Sequence, residues 1–124
     1  MRRRALIAIA LGFGAGVSLW SAGSAKHGAE LFKNTCAGCH AFDSEKEGPR
    51  LRGVFGRPAG AVSGFPYSDG LRKSGLVWDE VSLDKWLADP DRAAPGNDMA
   101  FRIEDAGQRA DIIAYLKTLT RKEQ

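Results

Sequence analysis

Two cysteines and a histidine lie within five residues of this 124-residue chain, in the order Cys36-x-x-Cys39-His40. They are the only cysteines in the sequence. Such a group can form a redox disulfide, contribute ligands to a zinc ion, or carry a covalently attached haem. Each chemistry needs a different surrounding structure, so the choice among them limits both the fold and the function.

The first two possibilities lack the residues or the pattern that they need. A disulfide oxidoreductase of the thioredoxin kind has Cys-x-x-Cys beside a βαβ pattern, which this sequence does not show. A zinc ion needs four ligands, and outside the motif the only further cysteine or histidine is His27. Covalent haem attachment uses two thiols for thioether bonds and the adjacent imidazole for the iron. The motif therefore predicts one haem c, bound by Cys36 and Cys39 and ligated by His40.

The N-terminal 25 residues have the pattern of an export signal. Three arginines are followed by an apolar run from Ala5 to Trp20 and by small residues up to Ala25. An uncleaved membrane anchor is the alternative, although such a run would span about 24 Å of a hydrocarbon core that is roughly 30 Å thick. We expect a signal peptide over residues 1–25 and a periplasmic domain over 26–124, with a membrane-anchored form if the segment is retained.

Removal of the signal segment changes the charge of the chain. The full sequence has 18 Lys and Arg residues against 15 Asp and Glu residues, a formal net charge of +3. The segment contains three arginines and no acidic residue, so its loss leaves 15 against 15. The basic full-length chain therefore supports no prediction of nucleic-acid binding. The remaining chain suits one small domain, which a large buried prosthetic group would help to stabilise.

Four helices separated by glycine- and proline-rich loops are predicted. The strongest helical period runs through Ile112, in a helix that Asp105 and Gln108 would begin as an approximate capping box. A second helix is predicted in "GAELFKNTC", directly before the motif. Ser68 would be the N-cap of a third helix in "SDGLRKSG", and Ser82 the N-cap of a fourth in "SLDKWLADP".

Two long loops are predicted between these helices. Residues 42–66 are rich in glycine and proline, and the segment "DPDRAAPGNDMAF" leads to Met99. Long loops without secondary structure are uncommon in small domains unless they are functional. We therefore expect both loops to wrap a ligand.

A second axial ligand would complete the iron site. Once Met1 is lost with the signal, Met99 is the only methionine left. Methionine often fills gaps in a core, but the polar, turn-rich "PGND" before Met99 makes core packing a poor explanation. His27 is the competing ligand, and its place beside the predicted new N-terminus favours a solvated side chain. A His40 and Met99 pair would raise the reduction potential and favour electron transfer over oxygen chemistry.

Over residues 28–117 the sequence resembles a class I cytochrome c, of the mitochondrial type and its short bacterial relatives. The matching segments, in the order of that family, are "GAELFKNTCAGCH", "GPRLRGVFGR", "GFPYSDG", "GLVWDE", "LADPDRAAPGNDMAF" and "GQRADIIAYLK". The resemblance implies an all-α fold in which helices and long loops wrap around one covalent haem c. It also implies that the first and last helices cross. The residues at that crossing would be Gly28, Phe32, Tyr115 and Leu116.

The resemblance also implies roles for residues around the haem. Pro49 would accept a hydrogen bond from His40 through its carbonyl and so fix the imidazole. Arg57, Tyr67 and Trp78 would surround an inner haem propionate, because a buried carboxylate needs hydrogen-bond donors.

Further positions lie on the methionine side. Asn97 would support the segment that carries Met99, and Phe101 would cover the exposed haem edge. Trp86 departs from the family, which usually has a tyrosine close to the methionine sulfur. An indole N–H donates a hydrogen bond but cannot accept one, so the potential could differ from that of relatives.

The face expected to meet partners also departs from the mitochondrial type. Three positions that often carry lysine in that family are here Thr35, Asp91 and Asp98. Basic residues remain on the same face at Lys33, Lys85 and Arg92. A patch with charges of both signs steers partners less strongly than a patch of one sign.

These observations predict a soluble, monomeric, periplasmic monohaem electron carrier rather than an enzyme. Its expected partners are a quinol:cytochrome c oxidoreductase and a terminal oxidase, with no nucleic acid and no stable membrane insertion after cleavage. One alternative, suggested by Asp91 and Asp98, is a dedicated electron-acceptor subunit of a periplasmic dehydrogenase. Another is a haem-based sensor or peroxidase in which Met99 binds the iron only weakly.

Overall fold

The computed structural model of this chain describes residues 22–120, which contain five helices and no β-strand. The helices are α1 (Ala25–Thr35), α2 (Asp69–Arg72), α3 (Glu80–Ala88), α4 (Pro90–Ala93) and α5 (Ala106–Thr118). Most of the predicted signal segment, residues 1–21, lies outside the described residues. Within the described part of the chain, no helix has the length and apolar character needed to cross a membrane. The predicted all-α fold is confirmed.

Each of the five described helices begins at a side-chain cap. The Ser24 hydroxyl accepts a hydrogen bond from the His27 amide at 3.2 Å and begins α1. Ser68 is the N-cap of α2, as predicted. The Asp105 carboxylate accepts from the Gln108 amide at 2.7 Å, which confirms the predicted start of α5. Each cap satisfies a backbone N–H that has no partner inside its helix.

The predicted start of α3 is wrong. Asp79, not Ser82, is the N-cap: its carboxylate accepts from the Ser82 amide at 2.8 Å. The Ser82 hydroxyl in turn accepts from the Asp79 amide at 2.9 Å, which completes a reciprocal capping box. Serine suits both the N-cap and the third helical position of such a box, so the residue type alone did not distinguish the two.

The loop predicted before Met99 is also partly wrong, because it begins with the short helix α4. Pro90 occupies its first turn, where the fixed φ of proline suits a helix and the missing N–H costs nothing. The Asp89 carboxylate caps this turn by accepting from the Arg92 amide at 3.2 Å. Asp-Pro therefore ends α3 and starts α4 at the same point.

The first and last helices cross closely, as the resemblance implied. A Cβ atom built on Gly28 would overlap the backbone of α5 at Asp111, so only glycine fits there. The rings of Phe32 and Tyr115 meet edge to face with centroids 5.6 Å apart. This crossing holds the end of α1, and with it the cysteine motif, against the core. The buried apolar cluster contains Phe32, Val54, Trp78, Leu83, Trp86, Leu87, Ala94, Ile103, Ile112, Ile113, Leu116 and Leu119.

The long loop over residues 42–66 has no helix, as predicted, and is held by backbone hydrogen bonds to distant parts of the chain. The Gly53 amide donates to the Leu119 carbonyl at 2.5 Å, just after α5. The Gly56 amide donates to the Trp78 carbonyl at 2.6 Å, beside an isolated antiparallel bridge between Pro58 and Val77. These bonds satisfy polar groups that a wrapped loop would otherwise bury without partners.

Candidate functional site

The cysteine motif forms a tight turn at the end of α1. Cys36 is the C-cap of the helix, and its amide donates to the Phe32 carbonyl at 2.8 Å. The amides of Cys39 and His40 both donate to the Cys36 carbonyl, at 3.1 and 3.0 Å. This turn brings two thiols and an imidazole together at the point where α1 stops, and both cysteines are free.

The two thiols differ in exposure but both have raised pKa values. Burial raises the pKa of Cys36, which lies against the core. Cys39 is exposed, and its hydrogen bond to the Glu47 carboxylate raises its pKa, helped by the negative charge of the same group. Both side chains are therefore neutral thiols at neutral pH.

The His40 imidazole is held by the loop that follows the motif. Its Nδ1 lies 2.9 Å from the Pro49 carbonyl oxygen, so Nδ1–H donates and Nε2 keeps its lone pair. Burial lowers the pKa of His40, against a smaller opposing effect of the Pro49 hydrogen bond. A Cβ on Gly48 would overlap the imidazole ring, so glycine allows the loop to press against it. The neutral ring is thus oriented for metal binding through Nε2.

Met99 lies on a loop whose shape is set by Asn97. The Asn97 side-chain carbonyl accepts from the Met99 amide at 2.8 Å, and the Asn97 amide group donates to the Ala94 carbonyl at 3.0 Å. The Met99 side chain is half-buried against the core cluster. Asn97 therefore supports the methionine segment directly, through the backbone of Met99.

Two of the three residues predicted around a propionate are neighbours in the structure. Arg57 is buried, and its guanidinium donates to the carbonyls of Arg50 and Arg52 at 3.0 and 3.3 Å. The Trp78 amide donates to the Arg57 carbonyl at 3.0 Å, so the two residues lie side by side. Tyr67 lies directly after the loop over residues 42–66, and its hydroxyl accepts from the Val62 amide at 3.0 Å and can still donate.

The remaining predicted residues occupy contrasting environments. Trp86 is buried and stacks at a tilt on Trp78, with ring centroids 5.3 Å apart. Phe101 has 43% of its surface exposed. His27, the competing ligand, lies in the first turn of α1, where its Nδ1 is 2.5 Å from an Asp111 carboxylate oxygen. The structure therefore does not bring His27 to the cysteine motif.

These residues fit a covalent haem c. One turn of chain offers two free thiols and an imidazole with Nε2 available, and a separate loop offers a thioether. The wrapped loop over residues 42–66 supplies Arg57 as a donor, and Tyr67 directly after it supplies another. Sulfur and imidazole are the axial ligands that suit haem iron in electron carriers.

The family model described as Cytochrome c matches residues 25–120 of this sequence. That match spans all five helices and both long loops. The chain belongs to the cytochrome c family. It therefore carries a covalent haem c and transfers electrons rather than catalysing a reaction on a substrate. The resemblance found in the sequence is confirmed.

Individual relatives support the assignment of this cytochrome c. Cytochrome c2 iso-2 of Magnetospirillum fulvum is 48% identical over 87 residues, which cover 68% of this chain and 91% of the relative. Cytochrome c of Gibberella zeae is 41% identical over 103 residues, covering 80% of this chain and 97% of the relative. Among solved structures, cytochrome cH from Methylobacterium extorquens superimposes with a TM-score of 0.74 at 47% identity, covering 77% of this chain and 99% of that one.

Sequence reasoning missed three residues that shape the site of this cytochrome c. Gly48 touches the His40 ring, and Gly70 in α2 approaches so closely that its Cβ would overlap the Pro95 carbonyl before Met99. Arg102 forms ion pairs with acidic residues on the other side of the Met99 loop. A glycine inside the short helix α2 was a signal for close approach. Arg102 gave no signal, because its partners lie 11 and 13 positions earlier in the chain.

Proposed function

We propose that this cytochrome c is a soluble periplasmic carrier that moves single electrons between respiratory or photosynthetic complexes. Cys36 and Cys39 would form the thioether bonds, and His40 and Met99 would be the axial ligands of the iron. The observation that carries this proposal is the turn after α1, where two free thiols stand beside an imidazole whose Nδ1 is already bound by Pro49. Haem bound there would supply an iron that gains and loses one electron.

Backbone and side-chain contacts of this cytochrome would hold both ligands in place before any electron arrives. The His40 ring is held by the Pro49 carbonyl and by the close approach of Gly48. Met99 is fixed through Asn97. Ligands that move little between two oxidation states keep the reorganisation small, which favours rapid electron transfer. Phe101 is the exposed aromatic ring on this side and would cover the edge through which electrons pass.

Arg57, Tyr67 and Trp78 would hold an inner propionate. A carboxylate buried beside the core is costly unless donors surround it. The buried Arg57 guanidinium and the Tyr67 hydroxyl can supply such donors without leaving their present backbone partners. Asn97, in contrast, supports the segment that carries Met99, by accepting a hydrogen bond from the Met99 amide.

The export pattern over residues 1–25 supports a periplasmic location, with the carrier domain over residues 26–124. The expected partners are a quinol:cytochrome c oxidoreductase as donor and a terminal oxidase as acceptor, each met by a monomer in a transient complex. Transient redox complexes are small and rely on charges at the rim, so partner identity depends on the charges of both signs on the expected docking face.

The visible absorption spectrum of the oxidised, haem-loaded protein tests the proposed ligands. A haem iron bound to a thioether sulfur has a weak long-wavelength band, which we expect to observe. Its absence from folded protein would mean that Met99 is not on the iron. The sixth position would then be open or held by another group, and the sensor or peroxidase alternative would be favoured over the carrier.

A further inference from the structure

The two ends of the loop that carries Met99 are joined by one guanidinium group. Arg102, three residues after Met99, places Nη2 at 2.8 Å from Asp91 Oδ2 and at 3.1 Å from Asp89 Oδ1. Asp89 is the N-cap of α4, and Asp91 lies in its first turn. We call Asp89, Asp91 and Arg102 the ionic clasp. It links the helix before the loop to the segment after it.

Other contacts anchor the chain on both sides of the short segment over residues 95–102. After the loop, the Ile103 amide donates to the Leu87 carbonyl at 2.8 Å, and Ile103 is buried. Before the loop, Pro90 and Ala94 are buried in the core. Residues 95–102 thus lie between two buried, anchored parts of the chain. The clasp joins Arg102, at the end of this segment, to Asp89 and Asp91 before its start.

The clasp also reaches the residue that supports Met99. The Asn97 side-chain amide lies 3.3 Å from Asp91 Oδ1, while the Asn97 side-chain carbonyl accepts from the Met99 amide. Asp91 therefore touches Arg102 on one side and Asn97 on the other. A chain of polar contacts runs from the Arg102 guanidinium through Asp91 and Asn97 to the backbone of Met99.

We propose that Arg102, through Asp91 and Asn97, is a positioning residue that keeps Met99 on the iron. The inference rests on Met99 being the axial ligand. For the sulfur to leave, residues 95–102 must swing outward, and that movement separates Arg102 from its two carboxylates. The clasp therefore opposes the opening of the loop.

The size of the effect follows from the exposure of the clasp. The side chains of Arg102, Asp91 and Asp89 are 48%, 69% and 37% exposed. Water screens such pairs, and exposed ion pairs shift an equilibrium by a factor of about 1.5 to 5. Loss of the clasp should therefore change loop opening several-fold and leave most of the molecule folded.

Imidazole binding to the oxidised, haem-loaded protein measures this opening, because imidazole reaches the sixth position only after Met99 leaves. The disappearance of the thioether band monitors the replacement of Met99 by imidazole. We expect Arg102→Gln to lower the dissociation constant of imidazole about two- to five-fold. Asp91→Asn should lower the dissociation constant by a smaller factor, because Arg102 keeps its ion pair with Asp89. The double variant should be little different from Arg102→Gln alone, because that change already removes both ion pairs. Arg102→Lys should restore part of the difference.

The matched control is Glu80→Gln, which removes an ion pair of similar exposure between α3 and α5, 2.9 Å from Lys117. It should leave the imidazole affinity unchanged. High salt should raise the affinity of the wild-type protein towards that of the Arg102→Gln variant, because salt screens exposed charges.

Equal affinities in the Arg102→Gln variant and the wild-type protein, with the thioether band present in both, would overturn the positioning role and leave the proposed function intact. A wild-type protein without the band would overturn both. A change of the same size in the imidazole affinity of the Glu80→Gln variant would also overturn the positioning role. The loss of any surface ion pair would then have the same effect.

Discussion

At the scale of the residue, His40 acquires its chemistry from its neighbours. The turn after α1 holds the His40 backbone, whose amide donates to the Cys36 carbonyl at 3.0 Å. The Pro49 carbonyl fixes which ring nitrogen carries the proton, and burial favours the neutral ring by lowering its pKa. Gly48 contributes by having no side chain. Together these neighbours leave Nε2 as the ring nitrogen of His40 that can bind a metal.

Met99→Ala should change the redox behaviour of the iron. Loss of a thioether ligand removes the preference for the reduced state, and axial ligands tune haem potentials over a wide range. We expect the reduction potential to fall by on the order of 0.1 V and the reduced protein to bind carbon monoxide. Potentiometric titration and the absorption spectrum under carbon monoxide measure the two effects.

Leu71→Ala is the control for this experiment, because Leu71 packs against the same core cluster as Met99 but has no sulfur. It should destabilise the fold without admitting carbon monoxide. An unchanged potential in the Met99→Ala variant would contradict Met99 as a ligand.

At the scale of the element, α1 and α5 form the scaffold that holds the cysteine motif. Their contact extends to the very start of α1, where the Ser24 amide donates to Asp111 Oδ1 at 2.7 Å and His27 meets Asp111 Oδ2. Ser24 lies inside the segment predicted for removal over residues 1–25. A mature chain that began at Lys26 would lack both the Ser24 cap of α1 and the hydrogen bond from Ser24 to Asp111, and would keep the contact between His27 and Asp111.

The link between α1 and α5 should make stability depend on pH. The hydrogen bond from the Ser24 amide, and then the one from His27, lowers the pKa of Asp111 below its ordinary value of 3.8. The unfolded chain therefore binds a proton more readily than the folded one. The contribution of Asp111 is complete well above pH 3.8 and is lost as the pH falls through its lower folded pKa.

Comparison with Asp111→Asn isolates this contribution, because asparagine keeps the shape and can still accept from Ser24. The difference in free energy of unfolding between the two proteins should be largest near pH 5 and shrink below pH 3.8. Denaturant unfolding across this range measures it. A difference that stayed constant down to low pH would show that the charge of Asp111 does not matter.

At the scale of the whole molecule, charges of both signs surround the expected electron-transfer face. A groove of about 660 Å³ beside α3 and α4 is lined by Lys85 and Arg92 but also by Asp79 and Asp89. Asp91, where the mitochondrial type often has lysine, is paired with Arg102. The face therefore has no dominant sign, and long-range attraction to a charged partner should be weak.

Electron transfer to a small anionic oxidant such as ferricyanide should thus depend little on salt. We expect the second-order rate constant of the wild-type protein to change by less than about threefold between low and high ionic strength. Asp98→Lys should make the rate at low salt higher and its decline with salt steeper. Glu30→Lys, on α1, changes the net charge by the same amount and should have a smaller effect on the rate. A steep salt dependence in the wild-type protein would contradict the mixed face.

The sequence by itself determined the chemistry of this protein and most of its helices. The order Cys36, Cys39, His40 is a local pattern, and a turn of five residues is enough to bring its atoms together. The caps at Ser68 and Asp105 are equally local. Ser82 suits both the N-cap and the third position of α3, and Asp89 both ends α3 and begins α4. At these two places the sequence did not separate the possible helix starts.

Tertiary structure alone decided which distant residues meet. Gly48 against His40, Gly70 against Pro95 and the ionic clasp across the Met99 loop all follow from how loops fold back on the core. Helical periodicity and capping depend on neighbours within a few positions. Contacts between loops depend on where every other element has packed, so the spacing of residues along the chain does not specify them.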